Sequence, residues 1–181
     1  NSGSASTSQA NALAADTSGV VTATISDGDM ATLAGLTETG NAYSITITDT
    51  SVDAAALNTL DGKTTVAINA SNITTLTGAA ADLNTAYDSA GISNLGNEAV
   101  TLSDSSLNAS ALNALDGRTS GAINAASINT LTGSAADLIS AYAANGSGIT
   151  GLGNEAVNVN SGSASTAQAN TLAAATSAVV T

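Results

Sequence analysis

Short runs of alternating aliphatic and small polar residues recur along the chain, at residues 21–25, 43–47, 66–69, 100–103, 122–124 and 157–160. A period of two marks a strand with one buried face. Within these runs Ile25, Ile47, Ile68, Leu102, Ile123 and Val159 read as anchors at one phase, separated by 22, 21, 34, 21 and 36 residues. The spacing predicts a basic coil of 21 or 22 residues, two coils with insertions, and the six anchors in one continuous buried file.

After each strand comes a polar turn and then an Ala/Leu segment, as at residues 50–62 and 105–117. Leu107, Ala111, Leu112 and Leu115 fall on one face at helical spacing, preceding Ser or Asp side chains can cap the helix, and Gly117 can end it in a left-handed conformation. Each unit then reads as strand, turn, helix, turn. So small a unit cannot bury its own apolar face, so neighbours stack with their strands in a parallel ladder about 4.8 Å apart. The expected fold is an α/β solenoid of stacked coils of about 22 residues, with a parallel β ladder on one side and short helices on the other. The alternative is a right-handed β-helix with few helices.

A longer period overlies the short one. Residues 45–64 match 100–119 and residues 68–87 match 123–142 at an offset of 55, and residues 91–100 match 148–157 at an offset of 57. In the expanded coils, residues 78–89 and 133–144 offer longer helices, with Leu83, Ala86 and Tyr87 facing inward, that would bulge from the stack. Residues 1–22 return as 160–181 with eighteen of twenty-two positions identical. The chain therefore reads as one continuous array over 1–181, with larger repeats at about 42–97 and 98–155.

Composition thins the core and narrows the partners. There is no Cys, His, Pro, Trp or Phe, and aromatic residues make up 2% of the chain, so the interior must be narrow and aliphatic. The net charge of −12, with Lys63 and Arg118 the two basic residues, excludes rows of phosphate as partners, whether nucleic acid or anionic membrane. No stretch reaches the roughly 20 apolar residues of a membrane span, and residues 1–22 lack signal-peptide features, placing any export signal outside this stretch. Absence of cysteine agrees with an extracellular setting that uses no disulfides and is equally permitted in a cytosol.

Four carboxylates are weak calcium candidates: Asp27, Asp49 and Asp104, each two residues after an anchor, and Asp29 beside the first. Stacked coils would bring Asp27 and Asp49 about 5 Å apart, with Asp53 and turn carbonyls as further oxygens for an ion that takes six to eight. The competing reading gives these side chains to helix caps and Asx turns. Lys63 and Arg118 sit where a positive charge favours a helix C-terminus. Glu98 and Glu155, in the repeated Leu-Gly-Asn-Glu-Ala-Val, read as register-setting edge residues just ahead of a strand. Thr24, Thr46 and Thr101 share a phase and raise an ice-binding surface, but Ala67, Ala122 and Asn158 interrupt the row. Without His or Cys, and with acids repeated once per coil instead of converging, no catalytic constellation is visible, no cofactor other than possible calcium is implied, and the chain does not read as an enzyme.

The phrases at residues 57–64, 76–87 and 151–157, LNTLDGKT, LTGAAADLNTAY and GLGNEAV, resemble repeats of giant cell-surface or secreted adhesin-like proteins of marine unicellular cyanobacteria. That resemblance implies an extracellular, repetitive, non-enzymatic protein. The nonapeptide of calcium-binding rolls is absent from it. The expected role is a structural spacer or filament-forming unit at the cell surface that self-associates head to tail through open solenoid ends, with an adhesin or calcium-binding module as the alternative and an ice-binding surface behind both.

Overall fold

The computed structural model describes residues 3–161 and 164–181. In chain order its elements are β1 (Gly3–Ala5), α1 (Thr7–Ala15), β2 (Thr22–Ile25), α2 (Met30–Leu33), β3 (Ala42–Ser44), β4 (Ser51–Asp53), α3 (Ala54–Asp61), β5 (Ile68–Asn69), β6 (Thr75–Gly78), α4 (Ala80–Asp88), β7 (Ile92–Ser93), β8 (Ala99–Leu102), β9 (Ser106–Asn108), α5 (Ala109–Asp116), β10 (Ile123–Asn124), β11 (Thr130–Ser134), α6 (Ala135–Ala144), β12 (Ile149–Thr150), β13 (Ala156–Ser161) and α7 (Thr166–Ala175). The class is α/β with parallel strands. Two compact units divide the chain, one of residues 1–76 and 85–95, the other of residues 77–84 and 96–181.

In the first unit β1, β2 and β3 form a parallel sheet whose register steps by 20 residues, Gly3 opposite Ala23 and Thr22 opposite Ala42. Longer steps follow, with Thr46 opposite Asn69 and Ile68 opposite Ile92. The inward file is Ala5, Ile25, Ile45, Ile68 and Ile92, all buried; Asn69 N–H donates to the Ile45 carbonyl at 2.9 Å, which holds Ile45 level with Ile68. In the second unit two strand rows run side by side in each layer. Val100, Ile123 and Ile149 make one buried file and Leu107, Leu131 and Val157 another. Helices α5, α6 and α7 pack in succession, burying Leu112, Leu115, Leu138, Ala141 and Leu172.

All six expected strand segments contain strand, but the proposed file of six anchors is not one file. Ile47 lies two residues beyond Ile45, Leu102 two beyond Val100, and Val159 sits opposite Gly133. The steps of 34 and 36 residues are not insertions that bulge: each contains a further strand, β7 at Ile92 and β12 at Ile149. Strands β4, β9 and β11 escaped the periodic reading because they are three to five residues long and run straight into a helix. Leu107 belongs to β9, before the helix begins. Its helical spacing from Ala111 is a coincidence of the strand-to-helix junction. Helix α4 has nine residues and α6 ten, against eight in α3 and α5, so the expanded coils differ little in helix length. Leu83 and Ala86 are buried as expected, while Tyr87 is half-buried. Gly117 is right-handed at φ −76°, and Gly62 likewise at φ −66°, so neither helix ends in a left-handed turn.

Candidate functional site

The acidic residues flagged for metal binding separate into two structural tasks. Asp29 is the N-cap of α2 and accepts from Thr32 N–H at 2.8 Å. Hydrogen bonds from Thr32 hold its carboxyl below the usual range although it is fully exposed. Asp27, Asp49 and Asp104 reach across to another layer. Asp27 accepts from Thr7 N–H at 2.6 Å, Asp49 from Met30 N–H at 2.6 Å and Asp104 from Ala80 N–H at 2.7 Å. Each donor is the first residue of a helix, α1, α2 and α4, where backbone amides have no partner within the helix and the dipole favours negative charge.

The expected face-to-face approach of Asp27 and Asp49 fails on register. Thr48 N–H donates to the Gly28 carbonyl at 2.9 Å, which sets Gly28 level with Ile47 and leaves Asp27 out of register with Asp49. Among the described residues no group of three or more metal-ligating side chains is gathered. Asp104→Ala removes a cap at a helix start and is expected to cost about 0.5–2 kcal/mol, read as a lower urea midpoint at unchanged slope.

The two cations both donate to backbone carbonyls. Arg118 Nη1 donates to the Ala114 carbonyl at 3.0 Å in the last turn of α5, and Lys63 Nζ donates to the Thr37 carbonyl at 3.1 Å. Lys63 further lines a cleft of about 170 Å³ with Met30, Leu33, Ala34, Ala56, Thr59 and Leu60. It opens beside α2, a helix of four residues.

Glu98 and Glu155 are not edge residues. Both are 1% exposed. Each folds its carboxylate back onto the turn before it: Glu98 Oε2 accepts from Gly96 and Asn97 N–H at 2.8 and 3.2 Å, and Glu155 Oε2 from Gly153 and Asn154 N–H at 2.9 and 3.1 Å. The turn needs glycine, because φ is +131° at Gly96 and +126° at Gly153, where an L side chain is strained. The next layer clamps the same residues from outside, Thr119 and Thr176 donating their hydroxyls to the Glu98 and Glu155 carbonyls at 2.7 Å each.

Tyr142 donates its phenol to Glu155 Oε1. Burial first, and then the Glu155 carboxylate, push the Tyr142 phenol above its ordinary 10.0. A raised folded value means stability is fully present below the unfolded value near 10 and is lost as pH rises above it. Tyrosinate absorbance from Tyr142 is therefore expected to appear with alkaline unfolding and not before it, and Tyr142→Phe should weaken the loss of stability above that pH.

The outward Ser/Thr face also differs from the expected rows. Ser4, Thr24 and Ser44 share one exposed row, Thr46 is level with Asn69, and Thr101 with Asn124 and Thr150. Thr24, Thr46 and Thr101 thus stand in three mixed rows.

One recurrent group was missed in the sequence. Asn11, Asn58, Asn84, Asn113 and Asn170 occupy the fifth position of α1, α3, α4, α5 and α7. Asn84 Nδ2 donates to the Ala111 carbonyl at 3.3 Å, and Asn113 Nδ2 to the Asp137 carbonyl at 2.9 Å, in each case the third residue of the next helix. Asn11 Nδ2 donates to the Gly35 carbonyl at 2.7 Å, past the end of α2. The recurrence of Asn two residues before the seventh helical position was the available signal. Compared with known protein families, curated proteins and solved structures, the chain matches none of them.

Proposed function

We propose that this chain is a structural repeat unit, a continuous α/β solenoid array that serves as a spacer or filament-forming subunit outside the cell or at its surface and self-associates head to tail. The observation that carries this reading is the use of the polar side chains. Asp27, Asp49 and Asp104 cap helices of other layers, Asn84 and Asn113 tie helix to helix, and Glu98 and Glu155 lock turns. Side chains that could otherwise do chemistry are occupied in joining layers and holding turns, which supports a structural role. The net charge of −12 gives each copy a self-repulsion that salt screens.

Imaging of the purified chain tests the reading: rods whose length grows with concentration are expected, and compact particles of fixed size at every concentration would overturn it. The calcium-module alternative makes the opposite prediction in a thermal melt. With the Asp carboxylates already accepting from backbone amides, a chelator is expected to leave the melting temperature unchanged; a drop that calcium restores would favour the ion-binding module. The mixed rows of Thr, Ser and Asn weigh against an ice-matching surface, which needs one regular array.

A further inference from the structure

Residues 1–22 and 160–181 are nearly one sequence, and the two copies bury different parts of one helical stripe, whose first, fourth and seventh positions are all buried in α3 and α5. In α1, Thr7 and Ala10 are buried and Asn11 is clamped, its Nδ2 on the Gly35 carbonyl and its Oδ1 accepting from Thr37 N–H at 3.1 Å, while Leu13 is 53% exposed. In α7 the counterparts Thr166, Ala169 and Asn170 are exposed, and Leu172, the counterpart of Leu13, is 0% exposed. The seventh helical position is buried in α3, α4, α5, α6 and α7, at Leu60, Ala86, Leu115, Ala141 and Leu172. Leu13 occupies that position in α1. The stripe is therefore built to be covered along its whole length, and α1 and α7 each bury a different part of it.

The open side of α1 is a shallow cleft lined by Ser4, Ala5, Gln9, Ala12 and Leu13. Helices α1 and α7 contain no charged side chain, although the chain carries −12. Two copies meeting here bring no carboxylate of either helix against another. The Asn clamp supplies the register. It runs from the fifth residue of one helix to the carbonyl of the third residue of the next, and the third residue of α1 is Gln9, in the cleft.

We propose that α7 of one copy seats on α1 of a second copy, with Leu13 packed against Ala169 and Asn170 donating to the Gln9 carbonyl. This contact uses different patches on the two molecules, so it repeats without closing. It rests on the self-association proposed above and assigns its seam. Screening of the −12 charge by salt strengthens it.

The chain has no cysteine, so paired substitutions report the contact directly. Oxidation of the Leu13→Cys/Ala169→Cys variant of the whole chain is expected to give a ladder of disulfide-linked dimers and higher species that reductant collapses. In sedimentation, wild type is expected to grow with concentration and with salt, and Leu13→Asp to weaken association by at least about tenfold. At low protein concentration and low salt, where wild type is dissociated, circular dichroism melts of Leu13→Asp should match wild type because the residue is exposed. Association of Leu13→Asp equal to wild type, with no ladder, would overturn this seam and leave self-association standing. A wild-type monomer at all concentrations would overturn both and give the cleft to a different occupant.

Discussion

Changing Gly121 to alanine is expected to lower stability by about 1–3 kcal/mol or more, the range for forcing extra volume into a packed contact. A Cβ at Gly121 would overlap the Glu98 carbonyl and come within 2.7 Å of Ala99 N. Those are backbone atoms of the adjoining layer, which cannot swing aside as a side-chain tip would. Relief requires the layer carrying β10 to move off the layer carrying β8, which would stretch the ladder at Ile123 and Val100. Gly117→Ala is the matched control. Gly117 is right-handed, and the nearest atom to its added Cβ is the Ala114 carbonyl oxygen at 3.5 Å, ordinary contact. It is expected to be neutral or to stabilise by about 0.4–1 kcal/mol through the unfolded chain. Urea midpoints of the two variants make the comparison, and equal midpoints would refute the close approach of layers at Gly121.

The second large effect is expected from Glu155→Ala. The substitution strips the acceptor from three donors at once: Gly153 N–H, Asn154 N–H and the Tyr142 phenol. Gly153 and Tyr142 are half-buried and Asn154 is exposed, so water replaces part of what is lost and the expected cost is about 1–3 kcal/mol. Glu155→Gln keeps one acceptor oxygen and should lose less, and Tyr142→Phe, which removes only the phenol, less again. If alanine and glutamine were equally harmful, the negative charge and not the turn amides would be what the site requires. If alanine were harmless, the latch would contribute nothing and the Gly-Asn turn would be held by other means. Because Glu98 binds Gly96 and Asn97 in the same way, Glu98→Ala provides an independent copy of the experiment.

The positions of Ile25, Ile68 and Ile123 were legible because a strand with one wet face must alternate, and no partner is needed to see it. Their neighbours in the file were not. Ile45 and Ile47 alternate with the same phase along one strand and are both buried, so local pattern cannot say which is level with Ile25. Pairing of Thr24 with Ser44 decides it. That two-residue ambiguity propagated into the coil length, into the supposed insertions and into the expected meeting of Asp27 with Asp49. The Asp residues themselves were recognisable as capping groups, since Asp beside a helix start is a local signal. That Asp27, Asp49 and Asp104 cap helices some twenty residues away is not local, and neither is the reach of Asn84 and Asn113.

Sequence alone determined what is periodic: alternating short strands, Ala/Leu helices, a narrow aliphatic interior, an acidic surface and the return of residues 1–22 as 160–181. Tertiary structure decided the registers of 20 to 26 residues, the strands that lead straight into helices, the burial of Glu98 and Glu155, and which part of the repeated helix is covered. The physical reason is one of range. Alternation and capping are set by neighbours along the chain, whereas register and the choice of buried face are set by which layer lies alongside, so that nearly identical residues such as Leu13 and Leu172 end in opposite environments.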